Sequence, residues 1–117
     1  MEAILILAHG SREKQTETTF DVLIDLVRSQ TGQIIETAFM EFSPRSITAG
    51  LENLATQGAK RIRVIPYFLF TGVHIKKDIP EEIAAFRQNN PDLDIILEDV
   101  IGTDPLIVDI VTRRIRG

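Results

Sequence analysis

The chain has 117 residues, of which 44% are hydrophobic and 26% charged, with a net charge of −4, two histidines, and neither cysteine nor tryptophan. That is enough chain for one domain and one core. The missing cysteine excludes disulfides, iron–sulfur clusters and thiolate metal sites, and the acidic balance argues against a general nucleic-acid binder. No apolar run approaches the roughly 20 residues that cross a membrane, and Met1-Glu2-Ala3 carries no basic signal-peptide segment. The composition fits a cytoplasmic domain with no nucleic-acid or membrane partner.

Ala3 to Ala8 is a short continuous apolar run, the pattern of a strand buried on both faces of a parallel sheet. His9, Gly10 and Ser11 follow, and Ser11 is placed to cap a helix. The residues Arg12 to Thr19 are polar all round and should project toward solvent or a cleft. Phe20, Leu23, Ile24 and Val27 then fall on one helical face, and Gly32 stops that helix. Ile34 to Phe39 reads as a second strand. Ser43-Pro44 has the form of an N-cap followed by a first-turn proline, opening a helix that carries Ile47, Leu51, Leu54 and Ala55 and ends at Gly58.

Arg61 to Ile65 is a third strand, closed by Pro66, and the segment Tyr67 to Lys77 is expected to be irregular. Asp78, with Glu81 three residues on, resembles a capping box for a helix that turns Ile79, Ile83 and Phe86 inward and ends before Pro91. Asp94 to Leu97 begins a fourth strand. Asp104-Pro105 opens a last helix with Ile107, Ile110 and Val111 on one face and three arginines in its final turn, where the helix dipole favours cations.

This alternation predicts an α/β fold: a single domain over residues 1–117 with an open sheet of four mainly parallel strands, order 2-1-3-4, and helices on both faces. In such sheets ligands bind beyond the carboxyl ends of the strands, where the strand order reverses. Both histidines fall there, His9 after the first strand and His74 after the third. A loop histidine is ordinarily a surface or hydrogen-bonding residue. Two at one sheet edge could instead hold a transition metal through neutral imidazole. Gly10 allows a tight turn and close approach of a ligand.

Glu41 lies between Met40 and Phe42, an apolar setting that would raise its pKa and favour proton exchange. A solvated acid or a partner for Arg45 is the plainer alternative. Arg12, Lys14, Arg45, Lys76 and Lys77 cluster at the strand-end segments, a basic rim suited to a small polyanion. Of the aromatics in Tyr67 to Phe70, alternate rings should divide between core and cleft, where a planar apolar ligand could lie.

Ala8-His9-Gly10-Ser11-Arg12, then Phe39-Met40-Glu41 with Ser43-Pro44, and above all the stretch from Val64 through Pro66-Tyr67-Phe68-Leu69-Phe70-Thr71-Gly72-Val73-His74 to Asp78-Ile79-Pro80 resemble the short form of the CbiX/SirB family, the sirohydrochlorin chelatases. The resemblance runs over nearly the whole chain. It implies a lyase that inserts a divalent metal, Co2+ or Fe2+ with Ni2+ also open, into sirohydrochlorin without ATP, in cobalamin or siroheme biosynthesis. The metal is then a substrate, and no cofactor is permanently bound.

On the same resemblance His9 and His74 would bind the metal and, with Glu41, act catalytically. Gly10, Ser11, Arg12, Arg45, Tyr67, Phe70, Gly72, Val73 and Lys76 would line the site for an eight-carboxylate macrocycle. The short form also implies a homodimer, the alternative being that these residues are the N-terminal half of a two-domain chelatase. A carrier that binds tetrapyrrole or metal without inserting it would use the same residues. A phosphoglycerate-mutase-type phosphatase would need an arginine where Ala8 stands.

Overall fold

A computed structural model describes residues 1–117, the side chain of His74 excepted. The elements run β1 (Glu2–Ala8), α1 (Lys14–Thr31), β2 (Ile35–Phe39), α2 (Ile47–Thr56), β3 (Arg61–Pro66), α3 (Val73–Gln88), β4 (Asp94–Leu97), a short 3-10 turn (Ile101–Thr103) and α4 (Pro105–Arg116). The strands form one sheet in the order β2-β1-β3-β4, every pair parallel. The expected topology is therefore the observed one. The reversal falls between β1 and β3, where Leu7 pairs with Pro66 on one side and Ala38 on the other, so the segments that leave all three strands emerge along one edge.

Ala3 to Leu7 is buried without a break because successive side chains enter different cores. Leu5 and Leu7 join Ile47, Leu51 and Leu54 of α2 and Ile79, Ile83 and Phe86 of α3. Ile4 and Ile6 join Phe20 and Ile24 of α1 with Phe39 of β2. Helices thus cover both faces, α2 and α3 one of them and α1 the other.

Several local expectations are corrected. Glu13, not Ser11, is the N-cap of α1, and no side chain caps it; the Ser11 hydroxyl instead accepts from the Glu13 N–H at 3.0 Å. Ser46, not Ser43, caps α2, accepting from the Ala49 N–H at 3.2 Å. Asp78 is not a cap. Helix α3 starts at Val73 after Gly72, its first bond running from the Lys76 N–H to the Gly72 carbonyl, and it continues through Pro80. Interior proline forgoes one helical hydrogen bond at a cost of about 3 kcal/mol or more, and the burial of Ile79, Ile83 and Phe86 around it offsets that. The consequence for function is that Val73, Lys76 and the backbone of His74 belong to the first turns of a helix rather than to a free loop.

Helix α4 begins as expected, with the Asp104 carboxylate accepting from the Leu106 N–H at 2.9 Å, but none of its residues is buried. Its apolar face stays in solvent: Leu106, Val108, Ile110, Val111 and Ile115 are all exposed. The sheet face opposite the α2–α3 core is charged along β3. Ile62 and Val64 face the α2–α3 core, so Arg61 and Arg63 project to the other side, where Glu2, Asp94 and Glu98 engage them. No helix of the described residues is long and apolar enough to cross a membrane.

Candidate functional site

The sheet's carboxyl edge is built by two interlocked turns. Strand β1 ends at Ala8 and strand β2 at Phe39, but pairing continues past both: the Met40 N–H donates to the Ala8 carbonyl and the Glu41 N–H to the His9 carbonyl, each at 3.0 Å. Gly10 makes this closeness feasible. Its φ is +95°, and a Cβ there would stand 2.1 Å from the Glu41 carbonyl oxygen. The two turns bring the His9 Nδ1 to 3.9 Å from Glu41 Oε2, with the two side chains 62% and 55% exposed. Glu41 is therefore not enclosed by Met40 and Phe42 as their apolar character suggested. It is an open carboxylate beside an open imidazole, and the edge of the His9 ring meets Phe68 at 6.4 Å between centroids.

The third segment is anchored from beneath. The Tyr67 N–H donates to the Leu7 carbonyl at 2.7 Å, and the Ile101 N–H to that of Phe68 at 3.1 Å. Gly102 passes so close to Leu69 that a Cβ would overlap its carbonyl oxygen. Only Phe68 of this aromatic stretch is buried. Tyr67, Leu69, Phe70 and Val73 remain exposed, Phe70 by 78% and Val73 by 82%. Exposed apolar side chains gathered at one edge mark a binding surface more often than a solvent face. Tyr67 also closes one end of a groove of about 570 Å³ along α1, with Thr16, Thr19, Phe20 and Leu23. Leu23 belongs to that groove wall and not to the core, where helical spacing had placed it.

Of the remaining candidates, Gly72 is the N-cap of α3 and Lys76 is exposed on its first turns. The side chain of His74 lies outside the described residues. Among the described residues no three His, Asp or Glu side chains converge as a metal cage; His9 and Glu41 stand as an open pair.

Arg45 is corrected. It is not a free member of the rim, because its guanidinium donates to Glu17 at 2.9 Å, to both Asp21 oxygens at 2.8 and 3.0 Å, and to the buried Thr37 hydroxyl, and it lies over Phe39. This network pins α1 to β2. The hydrogen bond from Arg45 holds the Asp21 carboxyl below the usual carboxylate range, with burial opposing and the Arg45 charge and Thr37 hydroxyl assisting. A depressed folded-state pKa contributes stability that is present above the unfolded value, ~3.9, and is lost as pH falls through the folded one. Melting curves from pH 7 down to 2.5 should therefore fall more steeply below pH ~4 for the native chain than for Arg45→Met; parallel curves would mean that the pair is energetically silent.

Two site features had no sequence signal. Phe42 adopts φ 62°, alone among the described non-glycine residues in having a positive value, and the Arg12 guanidinium stacks 5.2 Å over its ring.

An open parallel sheet with an imidazole–carboxylate pair and an apolar rim at its carboxyl edge defines a ligand-binding α/β domain. The chain belongs to the CbiX family, whose model matches residues 3–117. It is 35% identical to the sirohydrochlorin ferrochelatase of Priestia megaterium over 98% of its own length and 44% of the relative's. It is 31% identical to the sirohydrochlorin cobaltochelatase of Methanocaldococcus jannaschii over 100% of its length and 99% of the relative's. Among solved structures, the sirohydrochlorin chelatase SirB of Bacillus subtilis subspecies spizizenii, in complex with cobalt, superposes with a TM-score of 0.90 at 34% identity, over 98% of this chain and 50% of that one. The chain thus spans about half the length of the ferrochelatase and of SirB.

Proposed function

We propose that the protein inserts a divalent metal, Co2+ or Fe2+, into sirohydrochlorin without ATP, acting in cobalamin or siroheme biosynthesis in the cytoplasm. The single observation that carries this is the His9–Glu41 pair, 3.9 Å apart and open at the sheet edge, in a chain of the CbiX family. Insertion requires that an aquated ion exchange water for nitrogen ligands and that two pyrrole N–H protons leave. Neutral imidazole binds such ions without the closed geometry of a storage site. His9 presents one imidazole to the ion, and His74, in the first turn of α3, supplies the second. Glu41 or a neutral histidine accepts the protons. Tyr67, Phe70 and Val73 give the macrocycle an apolar resting surface, Gly72 lets the chain enter α3 beside it, and Gly10 and Ser11 shape the first turn. Arg12 and Lys76 meet its carboxylates.

One edge of one sheet covers one side of a tetrapyrrole. This chain matches about half the length of the ferrochelatase and of SirB, whereas the archaeal relative matches along nearly all of its own length. A second copy of this chain is the partner that fits, and the exposed apolar face of α4 supports such pairing.

The test combines purified protein, sirohydrochlorin and Co2+ under anaerobic conditions, followed by visible absorbance, with sedimentation velocity on the same sample. Spectral conversion faster than the protein-free background, by a species of twice the chain mass, is the expected result. Stoichiometric binding without acceleration would overturn insertion in favour of a carrier, and activity in a monomer would overturn the pairing.

A further inference from the structure

Phe42 combines two unfavourable features. Its backbone sits in the left-handed region at φ 62°, which side chains with a Cβ avoid, and its ring is 53% exposed, so burial returns little for that strain. The conformation is imposed from both sides. Glu41 is tied to the His9 carbonyl and crowded by Gly10, while the Ser43 hydroxyl accepts from the Arg45 N–H at 3.1 Å and donates to Glu17 at 3.4 Å. Strain retained in this way clusters at functional positions.

What the strained residue contacts is Arg12, whose guanidinium carbon lies 5.2 Å from the ring centre and which makes no ion pair with any described carboxylate. A guanidinium held over a ring and engaged by no carboxylate keeps N–H groups to offer a ligand carboxylate, which a guanidinium can meet with two parallel hydrogen bonds.

We infer that Phe42 is a positioning residue: its left-handed backbone holds the ring under Arg12, and the ring presents the Arg12 fork to a carboxylate of a polycarboxylated macrocycle at the His9–Glu41 edge. This rests on the proposed function, and its ligand class is that of sirohydrochlorin. Phe42→Asn tolerates the left-handed backbone but removes the ring, while Phe42→Tyr keeps it.

The readout is the Kd of metal-free sirohydrochlorin, from its absorbance change, for the native chain, F42N, F42Y, R12Q and the F42N/R12Q double variant, each checked for an unchanged melting temperature. F42N and R12Q should each weaken binding by about 3–5-fold, F42Y should retain native affinity, and F42N should add nothing in the R12Q background. Multiplicative losses, or native affinity in F42N, would overturn the inference while leaving metal insertion by the native chain intact. Binding without insertion would instead defeat the proposed function and leave this coupling measurable. A native chain that fails to bind would end both.

Discussion

Replacing His9 with alanine should slow cobalt insertion by ~10²-fold or more, the usual range for loss of a group that exchanges protons or ligands in the transition state. The melting temperature should move little. His9 is 62% exposed, and its ring meets the buried Phe68 in a T-shaped contact. Substitutions of that kind stay within about 0.5 kcal/mol, which for a chain of this size is about 2 °C. Activity and stability are thus expected to separate. Initial rates by visible absorbance and a thermal melt on the same preparation measure both. A rate within about threefold of native, well inside the loss expected for a participating base, would remove His9 from the mechanism and leave Glu41 and His74 as the groups to examine. A collapsed melting temperature would mean that the imidazole serves the turn between β1 and α1. Glu41→Gln offers a graded comparison: it keeps the shape of the side chain while removing the charge 3.9 Å from His9, so it should impair proton removal with little effect on the fold.

The sheet was legible because its evidence is continuous and local. The unbroken burial of Ala3 to Leu7 appears in the sequence as an apolar run, and the alternation with helical spacing set the parallel order. The two strand-end segments carrying His9 and Glu41 were legible for the same reason, since strand ends in a parallel sheet share one edge. Three kinds of feature escaped. Cap positions are decided by which of several nearby polar side chains reaches the orphan N–H groups: Ser46 succeeds where Ser43, spent on Arg45 and Glu17, does not. The start of α3 was displaced because Asp78 and Glu81 read as a capping box, whereas α3 begins at Val73 and burial of Ile79 carries it through Pro80.

The fate of an apolar stripe depends on the opposing surface, which periodicity does not encode. Ile107, Ile110 and Val111 follow helical spacing just as Ile79, Ile83 and Phe86 do. Ile110 and Val111 stay exposed, and no residue of α4 is buried against the sheet. The same reasoning explains the misassignment of Arg45. Its place beside the strand end was correct, but the counter-charges of Glu17 and Asp21 come from α1, more than 20 positions away.

Gly10→Ala should be a severely damaging change beside the His9–Glu41 pair, and two other glycines show why. Gly58 has φ +98° with nothing within 4 Å of a new Cβ, and Gly72 has an ordinary φ and equally open surroundings. Gly58→Ala therefore carries only the left-handed backbone strain, about 1–2 kcal/mol, and Gly72→Ala carries neither strain nor collision. Gly10→Ala carries the strain and also drives a carbon to 2.1 Å from the Glu41 carbonyl oxygen and 3.1 Å from its carbon. Both of those are backbone atoms and cannot rotate aside. The turns must part, which breaks the Glu41 N–H to His9 bond and separates the imidazole from the carboxylate.

Melting temperatures should therefore fall in the order Gly72→Ala, Gly58→Ala, Gly10→Ala, with the last at least 4 °C below the second, about 1 kcal/mol for a chain of this length. Insertion activity should be lost in Gly10→Ala even at temperatures where the variant remains folded, and kept in Gly58→Ala. Equal melting temperatures for Gly10→Ala and Gly58→Ala would show that the two turns have slack between them. The proximity of His9 and Glu41 would then have to be maintained by something other than the missing Cβ.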